Sequence, residues 1–197
     1  TSGPGATNMI TGIGTAYADS TPMLALTGQV GTGSLGLGAF QEVDAYSLLM
    51  AITKHNFRVL DVNRLPHAID EAWKICQIGR PGPVHIDLPS DQMNSEIDEG
   101  LLKVSYGIKE PREDMSGIGT AIQWIKEAKR PVLLVGGGAI GANASAEVTR
   151  LAEILGAPAV FTLMGIGAMS TEHPLNLGPL GMHGRMCALD TFRNADL

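Results

Sequence analysis

The sequence is short of several things, and each shortage removes a class of protein. It has no basic excess: 14 Lys and Arg stand against 20 Asp and Glu, giving a net charge of −6 and a pI near 5.3. A nucleic-acid partner needs a basic face to meet phosphate, so that reading is excluded. No apolar run approaches the roughly 18 residues of a membrane span. Cysteine is scarce, with only Cys76 and Cys187, far apart and in no metal-like spacing. Two reduced thiols in a cytoplasmic protein are therefore expected, rather than a disulfide framework or a zinc site. Charged residues are only 17% of the 197, too few for a solvated, disordered chain. There is no P-loop and no Ser/His/Asp arrangement, which leaves kinase and hydrolase readings without support.

What the sequence does have is glycine. There are 25, about twice ordinary usage, in short clusters between apolar runs and with no collagen period. Such clusters suit tight strand-to-helix turns where backbone approaches a ligand closely. With 44% hydrophobic residues and a mean hydropathy of +0.11, a buried core is readily built.

Along the chain, short apolar strands alternate with amphipathic stretches. Residues 9–18 read as a small-residue helix, Met23–Thr27 as a strand and 43–52 as a helix. A strand is expected over Phe57–Val62, and the clearest helix over Leu65–Ile78, where Leu65, Ala68, Ile69, Ala72, Trp73 and Ile75 recur at helical spacing. GRPGP stops that helix, and VHIDLP follows as a strand. From Ser90 to Met115 the character turns polar and acidic. Alternation then resumes: helix Ile118–Ala128, strand Pro131–Val135, the turn GGGAIG, helix Ala144–Leu155 and strand Ala157–Thr162. This is the pattern of parallel βαβ units, an α/β class. We read residues 1–95 and 116–197 as two modules and 96–115 as a linker.

Four stretches carry candidate chemistry. TSGPGATN, a glycine-rich turn entering a helix, could face a polar ring edge or an anion, or be an ordinary turn. PVLLVGGGAIG satisfies G-x-G-x-x-G directly after a strand. The next strand lacks an acidic residue to hold a ribose, so a standard NAD site is disfavoured, and nucleotide binding and a plain tight turn both stay open. TLMGIGAMS and PLGMHG place Met and Leu beside Gly, as suits the face of an aromatic ring, with His183 the one titratable side chain of the second loop. AFQEVD and ITKHNF bring Gln41, Glu42, Lys54 and His55, of which a Lys-His pair could clamp a small carboxylate or lie in a solvated loop.

Taken in order, TSGPGATN, TPMLALTGQV, GAFQEVD, ITKHNFRV, GRPGPVHIDLP, RPVLLVGGGA, TLMGIG and PLGMHG resemble the large catalytic subunits of acetolactate synthases (acetohydroxyacid synthases). These are thiamine-diphosphate enzymes that also bind FAD. The resemblance runs over nearly the whole chain. It implies part of a three-domain enzyme: the later part of a pyrimidine-binding domain, then the first part of a central Rossmann-like domain. By that resemblance the family's activating glutamate lies upstream and its Mg²⁺- and diphosphate-binding motif downstream, so these 197 residues alone are expected to be inactive. It also implies that Pro4, Gly5 and Asn8 lie near the thiamine pyrimidine. Phe40 and Gln41 would approach the active centre. Gly137 and Gly138, Thr162, Leu163, Met164 and Gly165, and Leu180, Gly181, Met182 and His183 would contact FAD, with Lys103 as a linker contact to it. Pyruvate and 2-oxobutyrate are the implied substrates, a homodimer or homotetramer the implied assembly, and a regulatory small subunit an implied partner. A related pyruvate oxidase or glyoxylate carboligase, or a non-catalytic flavin-binding module, are the alternatives. Where the family often has Pro after GQV, this chain has Gly31, and the glycine-rich stretch Gly31–Gly38 is expected to be mobile.

Overall fold

In the computed structural model, residues 2–103 and 114–197 are described. The chain divides into two compact units, Thr1–Arg112 and Glu113–Leu197. Each contains one three-stranded, wholly parallel sheet, in keeping with the α/β expectation.

The first unit opens with α1 (Pro4–Asn8) and α2 (Ile10–Ala18). Pro4 stands at the start of α1, where the missing N–H costs nothing and its fixed φ suits the helix. Strand β1 (Met23–Gln29) follows, then α3 (Ala45–Leu49), β2 (His55–Arg58), α4 (Leu65–Ile75), β3 (Pro83–Pro89) and the short α5 (Ser90–Met93). The strand order is β1-β3-β2, with β3 in the centre. One face of the sheet is apolar. Val84 and Ile86 meet Val59, Ala68, Ala72 and Cys76, all buried, with Leu24, Phe57 and Leu88 packed beside them. This is the face for which the period of α4 was built. On the other face Ala25 packs on Ile13 of α2 and Leu49 of α3. That face also carries Thr27, Gln29, Asn56, His85 and Asp87, all buried.

The second unit runs α6 (Ile118–Glu127), β4 (Leu133–Val135), α7 (Gly137–Gly141), α8 (Ser145–Leu155), β5 (Ala159–Phe161), β6 (Asn176–Pro179) and α9 (Met186–Arg193). Its sheet order is β4-β5-β6. The core is Val135, Ala152, Ala159, Phe161, Ala168 and Met169. Gly156 closes α8 in the left-handed conformation, φ 60°, where glycine avoids the Cβ penalty. At the far end of the chain, Asp196 N–H donates to Arg130 O, and Val132 N–H donates to Leu197 O at 2.9 Å. The last residues thus run beside the free edge of β4.

Most expected elements are present with ends shifted by a few residues. One strand differs: β2 is His55–Arg58 rather than Phe57–Val62, because Asp61 instead turns the chain, its carboxylate accepting from Asn63 N–H. Half of the linker expected over 96–115, residues 104–113, lies outside the described residues. No helix among the described residues is long and apolar enough to cross a membrane.

Candidate cofactor site

In the first unit the stretch Gly31–Gly38 follows the C-terminal end of β1, and in the second each glycine-rich loop follows the C-terminal end of a strand, where α/β sheets bind ligands.

In the first unit the opening turn meets the AFQEVD loop. Gly3 has φ 38°, is buried, and has no room for a side chain: a Cβ there would overlap the carbonyl oxygen of Gln41 and lie 3.3 Å from Val43 Cγ2. The close approach dictates glycine at this position. Gln41 answers with a positive φ of 60°, an uncommon conformation for a residue with a Cβ. Pro4 and Asn8 are exposed and Gly5 is half-exposed. Phe40 is 88% exposed, a large aromatic side chain with no cover of its own.

The loop before Phe40 is tied down by two carboxylates. Glu42 accepts from the Gly36 and Ala39 N–H groups, and these backbone donors hold its carboxyl below the usual range. Asp91, following β3, accepts from the Thr32 hydroxyl and from Thr32 N–H at 2.9 Å. The two Thr32 bonds, hydroxyl first, pull the Asp91 carboxyl down to about 2. The stretch expected to be mobile therefore carries a bonded anchor near each end.

Beneath the loop lies a polar cluster that the sequence reading did not identify. Asp87, fully buried, accepts from Thr27 Oγ1 at 3.1 Å, from Gln29 Nε2 at 3.3 Å and from Arg58 Nε at 3.0 Å. Arg58 also bonds Asp44 and lies over the ring of Tyr46, 5.2 Å from its centroid. Gln29 Nε2 donates as well to Val43 O at 2.7 Å. Thr27 gives its one proton to the Asp87 carboxylate, so His85 Nε2, 2.7 Å away, must donate to Thr27 Oγ1. His85 is fully buried, and burial lowers its pKa. The available signal was polar residues at i and i+2 inside buried strands, Thr27 with Gln29 and His85 with Asp87.

Lys54 and His55 are not an anion clamp. Lys54 Nζ donates to the carbonyls of Ile75 and Ile78 at the end of α4, and burial lowers its pKa. The His55 ring stacks edge-on against Phe57, with centroids 4.6 Å apart. A basic side chain at a helix C-terminus satisfies carbonyls that have no intrahelical partner.

In the second unit three loops leave three adjacent strands on the same side. Gly136 and α7 follow β4, Thr162–Gly165 follow β5, and Leu180–His183 follow β6. They fit backbone to backbone. A Cβ at Gly165 would overlap Val135 O, and one at Gly137 would lie 3.0 Å from Met164 Cβ. Leu180 N–H donates to Phe161 O at 2.8 Å. Gly138 and Gly181, the latter with φ 108°, instead have open space where a side chain would be. Leu163 (78%) and Met182 (91%) are among the most exposed apolar side chains of the protein, and His183 is exposed beside them. Bare backbone flanked by uncovered Leu and Met is a surface suited to phosphate and to a flat ring. Lys103 ends a short 3₁₀ turn, and its side chain lies outside the described residues. Among the described residues no cluster of His, Cys, Asp and Glu could hold a metal.

The family described as "Thiamine pyrophosphate enzyme, N-terminal TPP binding domain" matches residues 1–48, and "Thiamine pyrophosphate enzyme, central domain" matches 118–197. The chain belongs to the thiamine pyrophosphate enzymes. Among curated relatives, the probable acetolactate synthase large subunit of Methanocaldococcus jannaschii is 48% identical over 194 residues, 95% of this chain and 33% of that protein. The acetolactate synthase large subunit of Corynebacterium glutamicum is 44% identical over 208 residues, 100% of this chain and 32% of its own length. The isozyme 1 large subunit of Escherichia coli strain K12 is 44% identical over 197 residues, 100% of this chain and 35% of its own. The chain thus spans about a third of the length of the relatives it matches. The turn-and-loop contact at Gly3 lies within the matched N-terminal domain, and the three-loop cluster within the matched central domain.

Proposed function

We propose that this chain is part of the catalytic subunit of an acetolactate synthase, which decarboxylates pyruvate and joins the remaining two-carbon unit to a second 2-oxo acid. Two pyruvates and a proton give 2-acetolactate and CO₂; with 2-oxobutyrate as acceptor the product is 2-aceto-2-hydroxybutyrate. The names of the relatives support the reaction. The observation that carries the reading is the pairing of a Gly3–Gln41 backbone contact in one unit with a three-loop glycine cluster in the other, a fit for two cofactors. Bound thiamine diphosphate would supply the electron sink that pyruvate decarboxylation needs.

This chain's own residues bind and orient. Pro4, Gly5 and Asn8 would hold the pyrimidine end of the thiamine cofactor, with Gln41 kept close by the Gly3 contact. Phe40 offers an apolar wall that would keep water from the reacting centre, and Gln41 offers an amide to the substrate. Gly137 and Gly138 would take the FAD diphosphate on bare backbone. Thr162–Gly165 and Leu180–His183 would line the flavin ring, with His183 as a donor and Lys103 as a further contact. Mg²⁺ would be held by residues outside this chain, as would the activating glutamate, so the 197 residues alone are inactive in this reading. Residues 1–95 and 116–197 belong in it to the pyrimidine-binding and central domains, with 96–115 as the linker. The enzyme would be a cytoplasmic homodimer or homotetramer, a transferase of branched-chain amino acid biosynthesis, with a regulatory small subunit as partner.

The test is pyruvate turnover by the complete gene product with thiamine diphosphate, Mg²⁺ and FAD. Acetolactate formation without any electron acceptor is expected. Turnover only when a redox dye is supplied would replace this reading with a pyruvate oxidase, and flavin binding without turnover would replace it with a flavin-binding module.

A further inference from the structure

We infer that Arg58 is a positioning residue, acting through Asp44 to set the loop that carries Gln41 against the thiamine-binding turn. The inference rests on the proposed cofactor role of that turn.

A chain of contacts connects the sheet to the turn. Asp87 is fixed in the central strand and has no exposure. Two donors converge on its Oδ2, Gln29 Nε2 and Arg58 Nε. Each of those side chains reaches on to the same loop: Gln29 to Val43 O, Arg58 to the Asp44 carboxylate. Val43 and Gln41 in turn abut Gly3, where not even a methyl group fits. Asp44 also begins α3, accepting from Ser47 N–H. The hydroxyl of Ser47, then Arg58, hold its carboxyl below the usual range. The loop is therefore fastened two and three residues beyond Gln41, and a shift of Val43 or Asp44 away from Gly3 strains the bond to Gln29 or to Arg58.

Arg58 suits this role for a reason of shape. A planar guanidinium can donate from Nε to one carboxylate and from Nη2 to another while its face rests on Tyr46; a lysine ammonium is a point charge and cannot reproduce that fork. The Arg58 side chain is 27% exposed while that of Asp87 has no exposure, so replacing Arg58 leaves the Asp87 carboxylate buried without a cation and costs stability as well as the tie to the loop. A loss of this tie acts by displacement. A misplacement of about 1 Å at a reacting centre can cost on the order of a hundredfold in rate.

The experiment uses the complete gene product and reads two quantities, thiamine diphosphate affinity in the presence of Mg²⁺ and acetolactate formation. In Arg58→Met the thermal midpoint should fall, because Asp87 loses its cation; read at a temperature well below that midpoint, thiamine diphosphate Kd is expected to rise about tenfold and kcat/KM for pyruvate to fall by at least about that factor. Arg58→Lys should recover only part. In a Gln41→Ala background, Arg58→Met should add nothing, because what it positions is already gone. The inference is overturned if Arg58→Met binds thiamine diphosphate as the unaltered protein does, or if its effect multiplies in full with that of Gln41→Ala. If the unaltered protein binds thiamine diphosphate but makes no acetolactate, the proposed reaction fails while the affinity measurement still decides the role of Arg58.

Discussion

At the scale of single residues, two of the glycines that admit no side chain, one in each unit, decide which loops can meet. Gly3 against Gln41 O and Gly165 against Val135 O are close backbone approaches, and Gly3 adds a positive φ. Gly3→Ala should weaken thiamine diphosphate binding by about tenfold, ~1.4 kcal/mol, and leave flavin binding alone. Gly165→Ala should do the reverse, and titrating both cofactors into each variant checks the separation. Asp91 offers a pH test. Its carboxyl is drawn from 3.8 down to about 2 by the two Thr32 bonds. The folded state therefore holds the deprotonated form more tightly than the unfolded chain does. The resulting stability is present above pH 3.8 and is lost as pH falls through about 2. Urea unfolding of the native protein and of Asp91→Asn across that window should show the native advantage shrinking as pH falls and vanishing at its lower end. An advantage independent of pH would show that the carboxylate's charge is not what holds Thr32.

At the scale of elements, α4 shows how one basic residue can be assigned by its surroundings. Lys54 donates to the carbonyl of Ile75, the last residue of α4, and to that of Ile78 in the turn that follows. Lys54→Met should therefore destabilise the protein by about 1 kcal/mol while leaving thiamine diphosphate affinity and pyruvate KM unchanged; a raised KM would return Lys54 to the substrate site. The elements themselves were largely legible in the sequence. Of the residues read at helical spacing, Leu65, Ala68, Ala72 and Ile75 lie on the face of α4 that covers Val84 and Ile86, whereas Ile69 and Trp73 are exposed, and α4 ends at Ile75, short of the Gly-Pro punctuation. What was not legible is pairing across distance. The sheet order that puts β3 between β1 and β2 brings Asp87 beside Thr27, Gln29 and Arg58. Nothing local to any of those residues marks the partnership. Thr27 read as the last residue of one strand, Gln29 as lying beyond it, and Arg58 as a charge inside the strand expected over Phe57–Val62. Even β2 was read too late, because Val59 and Leu60 continue an apolar run that the Asp61 turn cuts short.

At the scale of the whole molecule, the two units share two features: a three-stranded parallel sheet, and a glycine held against the backbone of another loop. In the first unit the fitted pair is Gly3 with Gln41, and in the second it is Gly137 with Met164 and Gly165 with Val135. Exposed apolar groups stand beside each pair, Phe40 in one, Leu163 and Met182 in the other. The family matches divide the chain along the same lines. The measurement that tests this account most directly is a crystal structure of the complete gene product grown with thiamine diphosphate, Mg²⁺ and FAD. The account predicts the thiamine pyrimidine beside Pro4, Gly5, Asn8 and Gln41, and the flavin running along Gly137–Gly138, Thr162–Gly165 and Leu180–His183. A thiamine cofactor that leaves the Gly3 turn untouched, or a flavin seated away from the three loops, would contradict it.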